Sequence, residues 1–160
     1  MLAALGLLAT VVAVALWSGL LLMLVTILHP VYLGQGATGF AEGMSRFLPV
    51  ARSSPTNYAL LSAMVVAPVV ALVGLRGEPA GAPFVLTALG LSLIAAGPIL
   101  TSRFASEPHY AVILAWDPAA PPADWRDARA RWVRLNWIRA AATWSALVLF
   151  VVATWLYLAP

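Results

Sequence analysis

Apolar residues fill four long blocks of this chain, and polar residues gather between them. Residues 2–28, LAALGLLATVVAVALWSGLLLMLVTIL, carry no charge. The run has no basic leading segment and is too long for the core of a signal peptide, so it reads as a first transmembrane helix over residues 2–29. A stop is expected at His29-Pro30, because the residue before a proline is pushed out of helical geometry. Residues 57–75 make a second span, with a kink expected at Pro68. Residues 84–102 make a third, bent or ended early at Gly97-Pro98. A fourth covers residues 131–158. The spacer at 76–83, RGEPAGAP, is short, which predicts that the second and third spans are antiparallel neighbours. Small residues recur at four-residue spacing, Ala63, Ala67 and Ala71 on the second span and Ala88, Ser92 and Ala96 on the third, a pattern that lets helices approach closely.

The expectation is therefore an all-α, single-domain integral membrane four-helix bundle, up-down-up-down, with connections at 30–56 and 103–130. The first connection is rich in glycine and holds GQGATG, which matches G-x-G-x-x-G. That fingerprint binds dinucleotides only between a strand and a helix; here it follows a membrane helix and reads as a mobile turn. A short interfacial helix is expected from Phe40 to Phe47. In the second long connection, Tyr110 to Trp116 suits the interface, where aromatic rings prefer to sit.

The last third of the chain departs from simple apolar patterning. At about 100° per residue, Trp132, Asn136, Arg139, Thr143, Phe150, Thr154 and Tyr157 fall on one face. Leu147, Val148, Leu149, Val151 and Leu156 fall on the others and suit lipid. Polar groups inside a span are costly and usually face a protein interior or a wet cavity. Asp124 is a good N-cap after Pro121 and Pro122, with Asp127 in the first turn. A helix from there to Tyr157 is about 50 Å long, against a hydrocarbon core of about 30 Å. Its first turns, with Arg126, Arg129, Arg131 and Arg134, are expected to extend into the cytoplasm.

Composition agrees with a membrane class. The chain is 62% hydrophobic and 9% charged, whereas soluble domains carry about a quarter charged residues. There is no cysteine, which excludes thiol redox chemistry, disulfides and cysteine-ligated clusters. All nine basic residues are arginine, and they cluster beside the spans. They read as a topology signal and not as a nucleic-acid footprint. The first and third connections, with the first turn of the fourth span, hold seven of them, which places those connections in the cytoplasm and both termini outside a plasma membrane, expected to be bacterial.

Few residues are available for chemistry. His29 shares a rough helical face with Ser18, Leu22 and Thr26, and is a candidate base or metal ligand. His109, next to Tyr110, is a second candidate ligand, and both histidines on one haem are an option. Arg139 and Asn136 are candidates for binding an anionic or carbonyl-bearing substrate. The bland alternatives are an arginine snorkelling to headgroups and an asparagine bonding a neighbouring helix. Trp132, Trp137 and Trp144 read first as interfacial and packing residues. No predicted span contains Asp or Glu, which argues against a proton-coupled exporter.

Trp132, Asn136 and Arg139, within RWVRLNWIR, form a W-x-x-x-N-x-x-R signature at the head of the last span. With four spans and a small-residue first span ending near a proline, the chain resembles the anthrone oxygenase-like membrane proteins. The P-x-N element of similar families is only partly present, since EPHYAVILAW keeps Pro108 without the asparagine. The resemblance implies a small membrane enzyme that oxidises a lipophilic aromatic or other natural-product compound with dioxygen. It implies two routes. In one, no cofactor is used, His29 is the base and Arg139 the cation. In the other, His29, with or without His109, ligates a haem, and Asn136 and Arg139 surround it. Trp132, Thr143, Ser18, Thr26 and Tyr110 would complete the substrate or cofactor pocket. The rival reading is a non-enzymatic accessory subunit or lipid-binding scaffold. The expected partners are the bilayer, a lipophilic small molecule and further copies of the chain, with no nucleic acid.

Overall fold

The structure is a computed structural model and describes residues 1–159. Five helices account for most of it: α1 Leu2–Leu33, α2 Ala37–Ser53, α3 Pro55–Leu75, α4 Ala82–Leu114 and α5 Trp125–Leu158. No strand occurs among the described residues. All but α2 are long and apolar enough to cross a membrane. α1 packs on α3 and α5, and α4 packs on the same two, so the four long helices close a ring.

Proline does not end these helices where the sequence pattern places their stops. α1 runs through His29-Pro30 to Leu33, and α4 runs through Gly97-Pro98 and Pro108 to Leu114. The segment from 103 to 114 is therefore helix, and the true link between α4 and α5 is 115–124. A proline ring collides with the carbonyl four residues back in a regular helix. Here the turns widen. The His29 N–H bonds the Leu24 carbonyl, Thr101 bonds Ala96 and Glu107 bonds Ser102, each five residues back. Such single widened turns relieve the clash and re-aim the residues beyond them.

α2 is longer than the interfacial helix expected at Phe40–Phe47, and it is amphipathic. Phe40, Ala41, Met44 and Leu48 are buried on one face, while Glu42, Arg46 and Arg52 are not. The buried face meets Tyr32, Tyr110, Ile113, Trp125 and Trp132 in an aromatic core at one end of the bundle. The GQGATG stretch is the turn from α1 into α2, with no strand before it. A second core, built on Trp17, Leu21, Met64, Ile94 and Phe150, fills the middle.

Small residues set the closest crossing. A Cβ on Gly6 would stand 2.5 Å from the Ala71 nitrogen, and one on Gly74 would stand 2.5 Å from the Ala3 nitrogen. Ala67 and Ala71 are buried as the spacing on the second span predicts, with Ala63 half-buried. The stripe predicted on the third span is out of register. Ser92 and Ala96 are exposed, and Thr87, Gly90, Ile94, Gly97 and Pro98 are the buried residues. On α5 the predicted polar face does turn inward: Trp132, Asn136, Thr143, Phe150 and Thr154 are buried, Arg139 is half-buried, and only Tyr157 is exposed. Of the residues assigned to lipid, Leu147 and Leu149 are half-buried, and Leu147 packs on the central core. Asp124 caps α5 through its carbonyl, which accepts from Asp127 and Ala128 N–H; its side chain makes no cap bond.

Candidate functional site

The site lies where the aromatic end of the bundle meets the central core. On α5, Asn136 and Arg139 are three residues apart and share a face. The Arg139 Nη1 donates to the Asn136 Oδ1 at 3.3 Å and to the Tyr110 hydroxyl on α4 at 3.0 Å. The other end of Asn136 reaches α1, where its Nδ2 lies 3.3 Å from the His29 Nε2.

This chain of contacts fixes the protons. A guanidinium can only donate, so the Asn136 oxygen must face it and the amide N–H₂ must face His29. The His29 Nε2 is then an acceptor, and the imidazole is neutral with its proton on Nδ1. That Nδ1 is buried and has no partner. The His29 ring is only 2% exposed and lies edge-on to Trp132, with centroids 4.8 Å apart.

A cavity of about 320 Å³ opens beside this cluster. All five helices line it, with Trp17, Leu21 and Leu24 from α1, Leu48 and Arg52 from α2, and Asn57 and Leu61 from α3. Glu107 and Tyr110 come from α4, and Trp132, Asn136 and Arg139 from α5. The walls are mostly apolar with a few convergent polar groups, the usual character of a small-molecule site, and the volume falls at the lower end of the usual range of about 300–1,000 Å³. Exposed Leu20 and Met23, on the outer face of α1, also border it.

The predicted residues divide sharply around this cavity. Asn136, Arg139, Trp132 and Tyr110 line it. His29 does not; it stands behind Asn136 and Trp132 and meets the cavity only through them. Thr26 is exposed on the outside of α1, with its hydroxyl given to the Leu22 carbonyl at 2.7 Å. The buried face of α1 runs Trp17, Leu21, Val25, His29, a four-residue spacing that would drift about 120° around a regular helix. The five-residue hydrogen bond from His29 to Leu24 takes up that drift and keeps His29 on the buried face, while Leu22 and Thr26 are exposed. Ser18 is buried with an unpartnered hydroxyl, outside the lining, and Thr143 gives its hydroxyl to the Arg139 carbonyl at 2.8 Å.

His109 has a separate role. Its Nε2–H donates to the Ala128 carbonyl at 2.8 Å and ties α4 to the start of α5. Ala128 and Asn136, the two partners on α5, are about 12 Å apart along the helix. The two histidines thus offer no ligand pair to one cofactor, and neither borders the cavity. The donors present do not fit a haem seated there. Among the described residues, no three of His, Cys, Asp and Glu stand together as a metal site.

No family model, curated protein or solved structure matches the chain.

The main element absent from the sequence reading is an ion pair at the rim. The Arg52 guanidinium on α2 lies 2.8 Å from the Glu107 carboxylate on α4, and both side chains are partly exposed. It is the only ion pair among the described residues. The Tyr58 hydroxyl and the Asn57 amide donate to the Arg52 and Ala51 carbonyls at 2.7 and 2.9 Å, pinning the corner between α2 and α3 that carries Arg52. A helical reading of 103–114 would have placed Glu107 and Tyr110 on one face at i, i+3. Nothing in the sequence pairs Glu107 with a residue fifty-five positions earlier.

Proposed function

We propose that the chain is a membrane-embedded oxygenase-type oxidoreductase for a lipophilic aromatic compound that carries a ring carbonyl or hydroxyl. The observation that carries this reading is the half-buried Arg139, set in an apolar cavity without a carboxylate partner. A charge within a span costs about 2.5–3.5 kcal/mol, and neutral side-chain oxygens of Asn136 and Tyr110 are the only partners of this one among the described residues. Its Nε is also buried and unpartnered, as is the indole Nε1 of the cavity residue Trp17.

The chemistry follows from such a cation. Loss of a proton from a ring methylene next to a carbonyl-bearing system gives an anion whose charge rests on oxygen. Arg139 and the Tyr110 hydroxyl stabilise that oxygen, which lowers the barrier to forming the anion. The electron-rich anion then reduces dioxygen. In the net reaction the methylene becomes a carbonyl, one oxygen atom enters the product and the other leaves as water. The apolar walls keep solvent from quenching the anion. Asn136 holds the guanidinium in place, and His29 holds Asn136. Trp132, Asn136 and Arg139, on which the resemblance to anthrone oxygenase-like proteins rests, all border the cavity.

The test is dioxygen uptake by the purified protein in nanodiscs with a hydroxyanthrone, measured above the rate of a heat-inactivated sample. Arg139→Gln is expected to lower kcat/KM at least 100-fold, in line with the loss of an oxyanion-stabilising donor. Unchanged turnover in correctly inserted Arg139→Gln and Asn136→Leu proteins would sink the proposal.

A further inference from the structure

We infer that Glu107 is the proton acceptor of this cavity, so that a weakly acidic ligand is ionised between Glu107 and Arg139. The inference rests on the reading that the cavity holds the substrate. His29 was the expected base, yet its Nε2 is taken by Asn136 and its ring does not reach the cavity. Glu107 is the only carboxylate on the lining. The long connection expected to hold it is instead a continuation of α4, and the widened turn at Ser102–Ser106 delivers it to the rim.

The geometry joins it to the cation. Glu107 and Tyr110 are i, i+3 neighbours on α4, with Cβ atoms about 5–6 Å apart. The Tyr110 hydroxyl accepts from Arg139 at 3.0 Å and keeps its own proton to donate. A polar line thus runs from Arg52 and Glu107 through Tyr110 to Arg139 along one side of an otherwise apolar cavity. Arg52 lies 2.8 Å from the Glu107 carboxylate and holds it at the rim of the cavity. The Arg139 cation stabilises the anion produced. The step is a proton transfer only: an O–H or activated C–H bond of the ligand breaks, the proton goes to a Glu107 oxygen, and the electron pair stays on the ligand.

The test uses an alkyl-substituted nitrophenol, whose anion absorbs at longer wavelength than the neutral form. It is titrated without oxygen into the protein in zwitterionic nanodiscs, at a pH where the free probe is mostly neutral. Binding is followed separately by tryptophan fluorescence. The wild-type protein is expected to show the anion band on binding. Glu107→Gln is expected to bind the probe with the ratio of anion to neutral form lowered at least 10-fold. Arg52→Gln, which breaks the same ion pair but keeps the carboxylate, is expected to retain the band. An undiminished band in Glu107→Gln overturns the inference, and so does an equal loss in Arg52→Gln, which would make the pair a structural clasp. Absence of probe binding in the wild type overturns it together with the proposed function. An anion band with the nitrophenol in a protein that takes up no oxygen with the hydroxyanthrone would support this inference while overturning the oxygenase reading.

Discussion

Arg129 is the firmest tie between the aromatic end of the bundle and α1, and its removal gives a prediction with a definite size. Its Nη1 lies 3.2, 3.0 and 3.0 Å from the carbonyls of Tyr32, Leu33 and Gln35. The last carbonyls of a helix have no partner within it, and a cation there meets the negative end of the helix dipole. The guanidinium also sits 4.6 Å from the centre of the Trp125 ring. Nη1 carries two hydrogens, so two of the three bonds form at any instant. A hydrogen bond to a charged group contributes about 1.5–3 kcal/mol. Arg129 is half-buried, so the lower figure applies to each. The ring contact adds about 0.5–1 kcal/mol. Water recovers part of this in the truncated protein, and Arg129→Ala is expected to destabilise the fold by about 2–3 kcal/mol.

Arg126 supplies the control. It lies 4.9 Å from the same ring and is exposed, with no side-chain hydrogen bond of its own. Arg126→Ala should cost no more than about 1 kcal/mol. The assay is reversible unfolding in mixed micelles by titration with a denaturing detergent, with helix content read by circular dichroism. The difference between the two variants isolates the carbonyl clamp. If Arg129→Ala unfolds no more easily than Arg126→Ala, the clamp contributes nothing and the reasoning fails. The clamp also bears on the site, because the helix end it holds is the one that presents His29.

Two further outcomes are expected. Gly6→Ala forces a methyl group against Ala71 backbone that cannot yield, and should cost about 1–3 kcal/mol in the same unfolding assay, whereas Gly19→Ala meets nothing within 4 Å and should be neutral or slightly stabilising. His29→Gln keeps an acceptor for the Asn136 amide while His29→Leu does not; leaving that donor unpaired costs about 1–3 kcal/mol, so His29→Leu should lower kcat/KM about 10- to 100-fold in the oxygen-uptake assay and His29→Gln far less. Equal, complete loss in both variants would return His29 to the role of base.

The parts of this molecule legible in the sequence are those set by helical periodicity over long, regular stretches. The four apolar helices and the inward polar face of α5 follow from a 100° step, and α5 is a regular helix over its whole length. Several of the readings that failed lie close to a proline. The first span is expected to stop at His29-Pro30, because a residue before proline avoids helical geometry, and the third to bend or end at Gly97-Pro98, which leaves Glu107-Pro108 in a connection. In the structure His29-Pro30 and Glu107-Pro108 each close a widened turn instead. That single change keeps His29 on the buried face and converts the setting of Glu107, His109 and Tyr110 from loop to helix. The third-span stripe went astray for a different reason. Small residues lie on both sides of α4, and spacing alone does not say which side meets α5. Close packing of Phe150 on Gly90 and of Ala142 on Gly97 decides it.

The two X-Pro pairs also explain why the polar groups converge. A regular helix shows one face to the bundle at a fixed period, and a lone polar residue on it cannot be re-aimed without moving its neighbours. An extra residue in one turn rotates everything beyond it by about 100°. α1 uses this to carry its buried face on to His29, and α4 uses it shortly before Glu107 and Tyr110. Both helices thereby bring polar side chains toward Asn136 and Arg139 on the unbroken α5. The arrangement costs stability. The Nε of Arg139, the Nδ1 of His29 and the Nε1 of Trp17 are buried without partners, each at about 1–3 kcal/mol. Leucine or methionine at these places would pack the same space without that cost. Two of these three donors, on Arg139 and Trp17, belong to residues of the cavity lining, and that is where the proposed reading puts a ligand oxygen.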